Sequence, residues 1–324
     1  MAIVQENLLQ ATRVVAAIQT EIGKAVIGQH AVVRELIITL LAAGHVLLEG
    51  VPGLGKTLLV RALAKTFDGS FARIQFTPDL MPADVTGHSI YSPATQQFTM
   101  RRGPVFTNLL VADEINRAPA KTQAALLEVM QEQQVTIEGE SHRLLPPFMV
   151  MATQNPIEQE GTYPLPEAQL DRFLLKLRID YPSQDEEVAL VKQITTEHVG
   201  DRLNVEAVQT IVKAATIDSL QKITARLEVD ARVLDYAVRI ARATRHWNGI
   251  AVGAGPRAGI ALVRAARAAA LLEGRAFVTP DDVKSVALPA LRHRILPTPE
   301  MEIEGQSADQ ILRSLLERVD APRL

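Results

Sequence analysis

The sequence predicts an α/β domain built on a parallel sheet, followed by an all-helical domain. Between residues 46 and 179, short apolar runs alternate with amphipathic helical patterns, as expected when parallel strands are joined by helices. A glycine-rich stretch separates the first of these strands from the next helix. After residue 182, apolar residues recur at helical spacing and no strand pattern of any length is found. We therefore divide the chain into residues 1–182 and residues 183–324.

The composition excludes several classes of protein. The chain has 324 residues, 47% of them hydrophobic, and its formal net charge of −3 does not indicate a predominantly basic nucleic-acid surface. It contains no cysteine, which excludes disulfides, zinc–thiolate sites and cysteine catalysis. The N-terminus does not resemble a signal peptide, and the longest apolar run, residues 36–43, is too short to span a bilayer. We expect a soluble cytoplasmic protein without membrane insertion.

A phosphate-binding motif follows two predicted helices, over residues 3–22 and 30–43. The apolar residues 46–48 predict a strand, and a helix is predicted from Leu58 onwards. The stretch between them is Gly50-Val51-Pro52-Gly53-Leu54-Gly55-Lys56-Thr57, which has the pattern G-x-x-x-x-G-K-[ST]. In this pattern, backbone N–H groups surround phosphate oxygens, the lysine contacts the β- and γ-phosphates, and the threonine hydroxyl binds Mg²⁺. The sequence therefore predicts a nucleotide-binding loop over residues 50–58.

Two carboxylates end a later apolar strand. Residues 71–76 predict a strand, residues 77–107 an insertion with short hairpins, and residues 109–112 a buried strand that ends in Asp113 and Glu114. Ligands bind at the C-terminal ends of parallel strands, so Asp113 is predicted to bind Mg²⁺ and Glu114 to polarise the attacking water. Alone, such a pair is at least as often a solvated strand end. The preceding phosphate-binding motif favours the functional interpretation.

A third strand end carries an amide. A helix is predicted from Pro119 to about Gln131, a hairpin over residues 135–145, and a buried strand over residues 148–152. That strand leads into Asn155, which precedes Pro156. Asn155 is therefore either a turn residue or a polar group beside the phosphate site.

The helical region contains one distinctive arginine. After the last predicted strand, residues 174–179, Ser183 and Glu186 predict a helix N-terminus, and long helices are predicted over residues 230–245 and 256–272. Arg257 lies in the first turn of its helix, where the helix dipole disfavours a cation. It is either an ordinary surface residue or a functional one.

Three further stretches resemble the MoxR family of AAA+ ATPases, and the similarity extends over nearly the whole chain. They are Asp113-Glu114-Ile115-Asn116-Arg117-Ala118, Ala152-Thr153-Gln154-Asn155-Pro156 and Leu165-Pro166-Glu167-Ala168-Gln169-Leu170-Asp171-Arg172-Phe173. The resemblance implies an AAA+ core with a helix-2 insert at residues 77–107, a hairpin before sensor 1 at residues 134–147, and a helical lid. It also implies hydrolysis of ATP with Mg²⁺.

The resemblance assigns roles to individual residues. It implies that Asn155 is sensor 1, which orients the water or the γ-phosphate. It implies that Arg172 is the arginine finger acting on a neighbouring subunit's nucleotide, and that Arg257 is sensor 2, reaching from the lid to the γ-phosphate. Ile27 and Gly28 occupy the place where such ATPases line the adenine pocket.

The resemblance also implies partners. An arginine acting on a neighbour requires a ring, usually a hexamer, and the family remodels or matures separate client proteins. It often does so with a von Willebrand factor A domain protein and in metal or cofactor insertion.

Two other functions stay open from the residues alone. A nucleic-acid motor would need basic hairpin tips; Arg101 and Arg102 are candidates, but Glu138-Gly139-Glu140 is acidic, and no stable nucleic-acid complex is expected. A small-molecule kinase would need an acceptor pocket and no arginine from a neighbour, and it would leave the helical region without a role.

Overall fold

The computed structural model of the protein describes residues 2–50, 54–94, 96–154, 161–197 and 205–322. In these ranges the strands are, in chain order, β1 (Val46–Glu49), β2 (Phe71–Gln75), β3 (Gly87–Ser92), β4 (Gln97–Arg102), β5 (Leu109–Asp113), β6 (Gln134–Ile137), β7 (Glu140–Arg143), β8 (Met149–Gln154), β9 (Leu175–Arg178), β10 (Ile250–Val252) and β11 (Leu296–Pro297).

The helices in the same ranges include a 3₁₀ turn at Ile115–Arg117, directly after β5. The α-helices are α1 (Ala2–Gly23), α2 (His30–Leu41), α3 (Lys56–Thr66), α4 (Pro82–Thr86), α5 (Ala120–Glu132), α6 (Glu167–Leu170), α7 (Gln184–Glu197), α8 (Ala214–Ala225), α9 (Ala231–Ala243), α10 (Pro256–Leu272), α11 (Pro280–Leu291), α12 (Pro299–Ile303) and α13 (Ala308–Arg318). Among the described residues, no helix combines the length and the apolar character needed to cross a bilayer.

A five-stranded parallel sheet in the order β2-β5-β8-β1-β9 is the centre of the fold. All five predicted strands are confirmed as members of this sheet. Glu49 ends β1 opposite Gln154 of β8 and Arg178 of β9, and Asp113 ends β5 opposite Gln75 of β2. The C-terminal ends of the strands therefore meet at one edge of the sheet, which we call the C-terminal edge, and their starts form the N-terminal edge.

Alternating side chains of the strands build two apolar cores, one on each face of the sheet. In β5, Leu109 and Val111 join the core formed with α1, α2, α3 and the helices after residue 205, whereas Leu110 and Ala112 join the core on the face of α5. Successive side chains of a strand point to opposite faces, so a strand covered on both sides reads as a continuous apolar run. This explains why the sequence shows apolar runs rather than alternation.

The predicted hairpins are confirmed. The insertion holds α4 and the antiparallel pair β3–β4, and a second antiparallel pair, β6–β7, follows α5. The N-cap predicted at Ser183 is formed, with the Ser183 N–H and hydroxyl both donating to Glu186 at 2.8 and 2.9 Å.

One prediction for the second half of the chain was wrong. Among the described residues after 182, the helices α7–α13 are accompanied by the antiparallel ribbon β10–β11, whose strands have three and two residues. Strands of this length are too short to show a detectable alternation of apolar and polar residues in the sequence.

Candidate functional site

The predicted phosphate loop joins β1 to α3. Gly50 follows β1 so closely beside β9 that an added Cβ would lie 2.7 Å from the carbonyl oxygen of Ile179. Gly55 has φ +75° and is the residue before α3, a conformation that glycine adopts without strain. Both observations explain why the motif requires glycine. Of the other predicted loop residues, Leu54 and Leu58 pack against the core, and Val51, Pro52 and Gly53 lie outside the described residues.

Lys56 opens α3, and its ammonium group is turned back onto the loop. Its Nζ donates to the carbonyl oxygen of Gly50. Burial lowers the pKa of Lys56, and the nearby carboxylates of Asp113, Glu114 and Glu49 oppose that shift. The Lys56 ammonium group is therefore partly removed from water. This arrangement favours the binding of an anion beside it. Thr57 follows Lys56 in the first turn of α3 and is half-buried.

The two acids at the end of β5 are linked through the neighbouring strand β8. The hydroxyl of Thr153 donates to Oδ1 of Asp113 at 3.1 Å and accepts the backbone N–H of Glu114 at 2.9 Å. Glu114 has φ +55°, in the left-handed region that a non-glycine residue seldom adopts. Thr153 therefore fixes both the Asp113 carboxylate and the turn of the backbone that directs Glu114 away from the strand.

Two residues of β2 hold the carboxylates from the other side. Arg73 Nε lies 2.6 Å from Oδ2 of Asp113, and Gln75 Nε2 donates to Oε2 of Glu114 at 2.7 Å. Glu114 also pairs with Arg117, at 3.3 Å from its Nε. At the C-terminal edge, Asp113 thus has a cationic partner, and Glu114 has an amide and a cationic partner.

The oxygen donors of this edge are compatible with Mg²⁺ bound together with a nucleotide. Asp113 is 7% exposed and supplies a carboxylate, and Thr57 supplies a hydroxyl. Among the described residues, no cluster of three or more histidine and acidic side chains could hold a metal ion. Mg²⁺ is commonly bound through one or two protein oxygens, with phosphate oxygens and water in the remaining positions. The residues present fit that arrangement.

Three further residues were predicted to lie beside the nucleotide, namely Asn155, Ile27 and Gly28. Asn155 lies outside the described residues; the strand before it ends at Gln154. Ile27 is half-buried and Gly28 is buried, against the start of α7, where an added Cβ on Gly28 would lie 2.7 Å from Oε1 of Glu186. The Gln29 amide donates to the carbonyl oxygen of Asp180, just after β9, at 2.8 Å. The segment at residues 27–28 therefore lies beside the end of β9, one strand away from the phosphate loop.

The other two predicted residues, Arg172 and Arg257, line a separate cavity of about 320 Å³. The cavity is bounded by the turn before β1, the end of α5, the segment after α6 and the first half of α10. Arg172 donates from Nη1 to the carbonyl oxygen of Leu127 at 2.6 Å, while its Nε is buried without a partner among the described residues. Arg257 is 54% exposed at the side chain.

A carboxylate and a buried arginine hold this cluster together. Asp171 lies 2.7 Å from Nε of Arg294 and 3.8 Å from Nη1 of Arg257. Arg294 is 3% exposed at the side chain and also donates to the carbonyl oxygen of Phe173 at 2.7 Å. Burial lowers the pKa of Arg294, and its pairing with Asp171 opposes that shift. The lid and the core are therefore joined by an ion pair directly beside Arg172.

The arginine cluster lies at the N-terminal edge of the sheet. Leu174, two residues after Arg172, donates its N–H at 2.8 Å to the carbonyl oxygen of His45, just before β1, and His45 also lines the cavity. From His45 to Gly50 the chain advances by roughly 16 Å at the rise of a β-strand. Within this chain, Arg257 at the start of α10 therefore lies at the edge of the sheet opposite the phosphate loop.

Sequence reasoning missed six residues that support the two clusters. They are Arg73, Gln75, Arg117, Thr153, Asp171 and Arg294. Arg73 and Gln75 occupy alternate positions of β2, so polar side chains on one face of a predicted strand were an available signal. Asp171 directly precedes Arg172. Nothing in the sequence around Arg294 indicates its role.

Comparisons with known proteins agree with this architecture. Residues 45–175 match the family described as "ATPase family associated with various cellular activities (AAA)", and residues 242–315 match the AAA lid domain. The chain is 44% identical to Chaperone MoxR1 of Mycobacterium tuberculosis, over 94% of this chain and 81% of that protein. It is 34% identical to Protein MoxR of Methylorubrum extorquens, over 95% of each chain. A crystal structure from Cytophaga hutchinsonii has a TM-score of 0.90 and 42% identity, covering 98% of each chain.

Proposed function

Because the chain belongs to the MoxR family of AAA+ ATPases, we propose that it hydrolyses ATP with Mg²⁺ at sites shared between neighbouring subunits of a ring. In this proposal residues 1–182 bind the nucleotide and residues 183–324 act as the lid. Each site takes its phosphate loop and acids from one subunit and its arginines from the next. The ring is a hexamer, and it works in the cytoplasm, where ATP and Mg²⁺ are supplied.

The observation that carries the proposal is the separation of the two clusters within one chain. Lys56, Asp113 and Glu114 lie at the C-terminal edge of the sheet, whereas Arg172 and Arg257 lie at the N-terminal edge, roughly the length of β1 away. Arginines that stabilise charge on a transferred phosphoryl group must contact it. A second copy of the chain can bring its N-terminal edge to the C-terminal edge of the first. Repetition of such a head-to-tail contact closes a ring.

Each residue then has a defined role. Lys56 and the N–H groups of the loop bind the β- and γ-phosphates, and Ile27 and Gly28 line the adenine pocket. Glu114 accepts a proton from the attacking water, and Asn155 orients that water. Thr57 and Asp113 would hold Mg²⁺, which would supply charge neutralisation of the phosphates. Arg172 and Arg257 of the neighbouring subunit contact the γ-phosphate.

The proposed outcome of hydrolysis is the remodelling or maturation of a client protein. The relatives named Chaperone MoxR1 and Protein MoxR support this class of activity. A more distant relative, 27% identical over 66% of this chain, is named as the 38 kDa subunit of a magnesium chelatase. We therefore extend the proposal to metal or cofactor insertion, with a separate von Willebrand factor A domain protein as the adaptor.

Mixed rings test the shared site. Arg172→Ala and Lys56→Ala subunits should each be inactive alone, since an arginine finger contributes about 10³–10⁵ in rate and the lysine binds the phosphates. In rings that contain both, some interfaces join an intact Arg172 to an intact phosphate loop. ATPase activity should return on mixing.

The mixing experiment needs a check that subunits exchange. Two differently tagged populations should co-purify, and native mass spectrometry should give the ring size. Activity that stays absent at every ratio, in rings shown to contain both variants, would rule out an arginine supplied by the neighbour.

A further inference from the structure

A second cleft, of about 400 Å³, lies between the insertion and the hairpin β6–β7, apart from both clusters described above. It is bounded by the end of β4, the segment before β5, and the end of β7. The residues that line it are Ser70, Arg102, Phe106, Thr107, Asn108, Ser141, His142, Arg143 and Leu145. No acidic residue is among them.

The two arginines of this cleft have no acidic partner in the part of the chain that the structure describes. Arg102 and Arg143 form no salt bridge and donate no side-chain hydrogen bond among the described residues. By contrast, Arg73 pairs with Asp113, and Arg275 pairs with Asp282 at 2.6 Å. The cleft therefore presents positive charge whose hydrogen-bonding capacity is still available.

One of these guanidinium groups is held in place by an aromatic ring. The Arg102 guanidinium carbon lies 5.2 Å from the centre of the Phe106 ring, and the edge of that ring contacts His142, with 6.5 Å between ring centres. Stacking on a ring face orients a guanidinium while leaving its N–H groups free to donate in the ring plane. The planar fork of N–H groups matches a carboxylate.

Two apolar side chains, Phe106 and Leu145, also line the cleft. Leu145 is 79% exposed at the rim, and the ring of Phe106 forms part of the wall. Covering an exposed leucine with an apolar side chain removes apolar surface from water and is therefore favourable. The best match is a ligand that combines carboxylates with apolar groups at close spacing.

The surroundings favour a peptide over a nucleic acid. The tip of the hairpin β6–β7 carries Glu138 and Glu140, both exposed, so a long polyanion running past the cleft would meet like charges. The formal net charge of the chain, −3, also gives no general attraction to phosphate backbones. A short acidic segment ends before it reaches this tip.

We propose that this cleft binds an acidic segment of a client protein, with carboxylates on Arg102 and Arg143 and an apolar side chain against Phe106 and Leu145. The inference rests on the proposed function for the existence of a client, but it concerns a surface that takes no part in hydrolysis. The insertion and the hairpin β6–β7 thereby form a recognition site rather than a DNA-tracking surface.

The test uses the full-length chain without nucleotide. The labelled protein is applied to an array of nine-residue peptides in which two to four glutamates or aspartates alternate with leucine or phenylalanine. A matched array carries glutamine and asparagine at the acidic positions. The acidic array should bind and the amide array should not. The affinity of the best peptide is then measured by fluorescence anisotropy, with a single-stranded oligonucleotide of similar charge in parallel.

Three variants locate the binding. Arg102→Gln and Arg143→Gln should each weaken peptide affinity about tenfold, as expected for loss of one charge-assisted hydrogen-bonded pair at a partly exposed site. Arg313→Gln, an exposed arginine of α13 at a distance from the cleft, is the charge-matched control and should change affinity less than twofold. Thermal unfolding of the variants should match that of the parent chain.

Any one of three results would overturn the inference. The first is that no acidic peptide binds. The second is that the Arg102→Gln and Arg143→Gln variants bind peptide as tightly as the parent chain, and the third is that the oligonucleotide binds more tightly than every peptide. ATPase assays of the same variants keep this test separate from the proposed function. If the parent chain hydrolyses ATP but binds no acidic peptide, the recognition site is ruled out and the ATPase proposal still stands. Peptide binding in a chain without ATPase activity leaves the recognition site standing.

Discussion

The C-terminal and N-terminal edges of the central sheet differ in the way their charged groups are held. At the C-terminal edge, Asp113 and Glu114 are held by Arg73, Gln75 and Thr153, all from neighbouring strands of the same sheet.

At the N-terminal edge, Arg172 is bonded to a backbone carbonyl, and Asp171 connects the buried Arg294 to Arg257 of the lid. The first edge is built from strands of one sheet, whereas the second joins the segment after α6 to the start of α10 and the segment after α11. Within the described part of one chain, Asp113, Glu114 and the start of α3 lie at one edge of the sheet, and Arg172 and Arg257 lie at the other.

The largest effects should come from the C-terminal edge. Glu114→Gln removes the base that accepts the proton from water, and it should lower ATP hydrolysis by about 10²–10⁴ while ATP still binds. Lys56→Ala removes a contact to the ground-state phosphates, so it should weaken binding itself. Titration with a fluorescent ATP analogue, beside a steady-state ATPase assay, separates the two. Equal loss of affinity in both variants would show that the roles are wrongly assigned.

Loss of Arg257 should have the next largest effect. Arg257→Ala should lower the ATPase rate about 10²-fold, as for removal of one group that stabilises developing charge. Protein stability should change little, because the side chain is 54% exposed and its only ion pair in the described region has a 3.8 Å separation.

A lid control and a mixing test identify the mechanism of that loss. Arg242→Ala, an exposed arginine of α9, should keep normal activity. Mixing Arg257→Ala with Lys56→Ala subunits should restore activity if the residue acts on the neighbour. Full activity of Arg257→Ala alone would remove it from the site.

Acid should reduce the stability of the packing at the N-terminal edge more than at the C-terminal edge. His45 is 6% exposed, accepts the Val150 N–H at Nδ1 and bonds Met130 through Nε2, and burial lowers its pKa to about 4. Between pH 6.5 and 4 the unfolded chain therefore binds a proton that the folded chain does not. The contribution of neutral His45 to the free energy of unfolding is fully present above pH 6.5. It falls by about 3 kcal/mol as the pH approaches 4.

Urea unfolding at a series of pH values measures this loss. His293, whose pKa burial lowers well below its usual value, adds a loss of the same sign. His45→Gln should reduce the slope of stability against pH in this range, and His88→Gln, an exposed residue of β3, should leave it unchanged. An unaltered slope in His45→Gln would contradict the assignment.

The smallest effect concerns the amide that holds Glu114. Gln75→Ala removes the donor that occupies Oε2 of Glu114, which leaves this oxygen free to accept a proton from water. One such bond is worth about 1 kcal/mol, so the basal ATPase rate should rise about fivefold. In a Glu114→Gln background the same substitution should have no effect. A lower rate for Gln75→Ala in the parent chain would show that the amide positions Glu114 for catalysis instead.

The phosphate loop and the two acids were predictable because they depend on contiguous residues. Backbone N–H groups of a few successive residues form the loop, so Gly50 to Thr57 carry its signature, and Asp113 and Glu114 directly end an apolar run. The same holds for the cap at Ser183, which is a contact between residues three positions apart. The ribbon β10–β11 was missed because its strands are too short for a period.

Only the tertiary structure decided which residues support the acids and where the arginines lie. Arg73 contacts Asp113 because β2 pairs with β5, although 40 positions separate the two residues. The position of Arg257 depends on how α10 packs, with Arg264 donating to the carbonyl oxygen of Ala42 and the Thr12 hydroxyl to that of Leu271. No local pattern encodes such contacts, because the free energy of burying one helix against others depends on surfaces distributed over the whole chain.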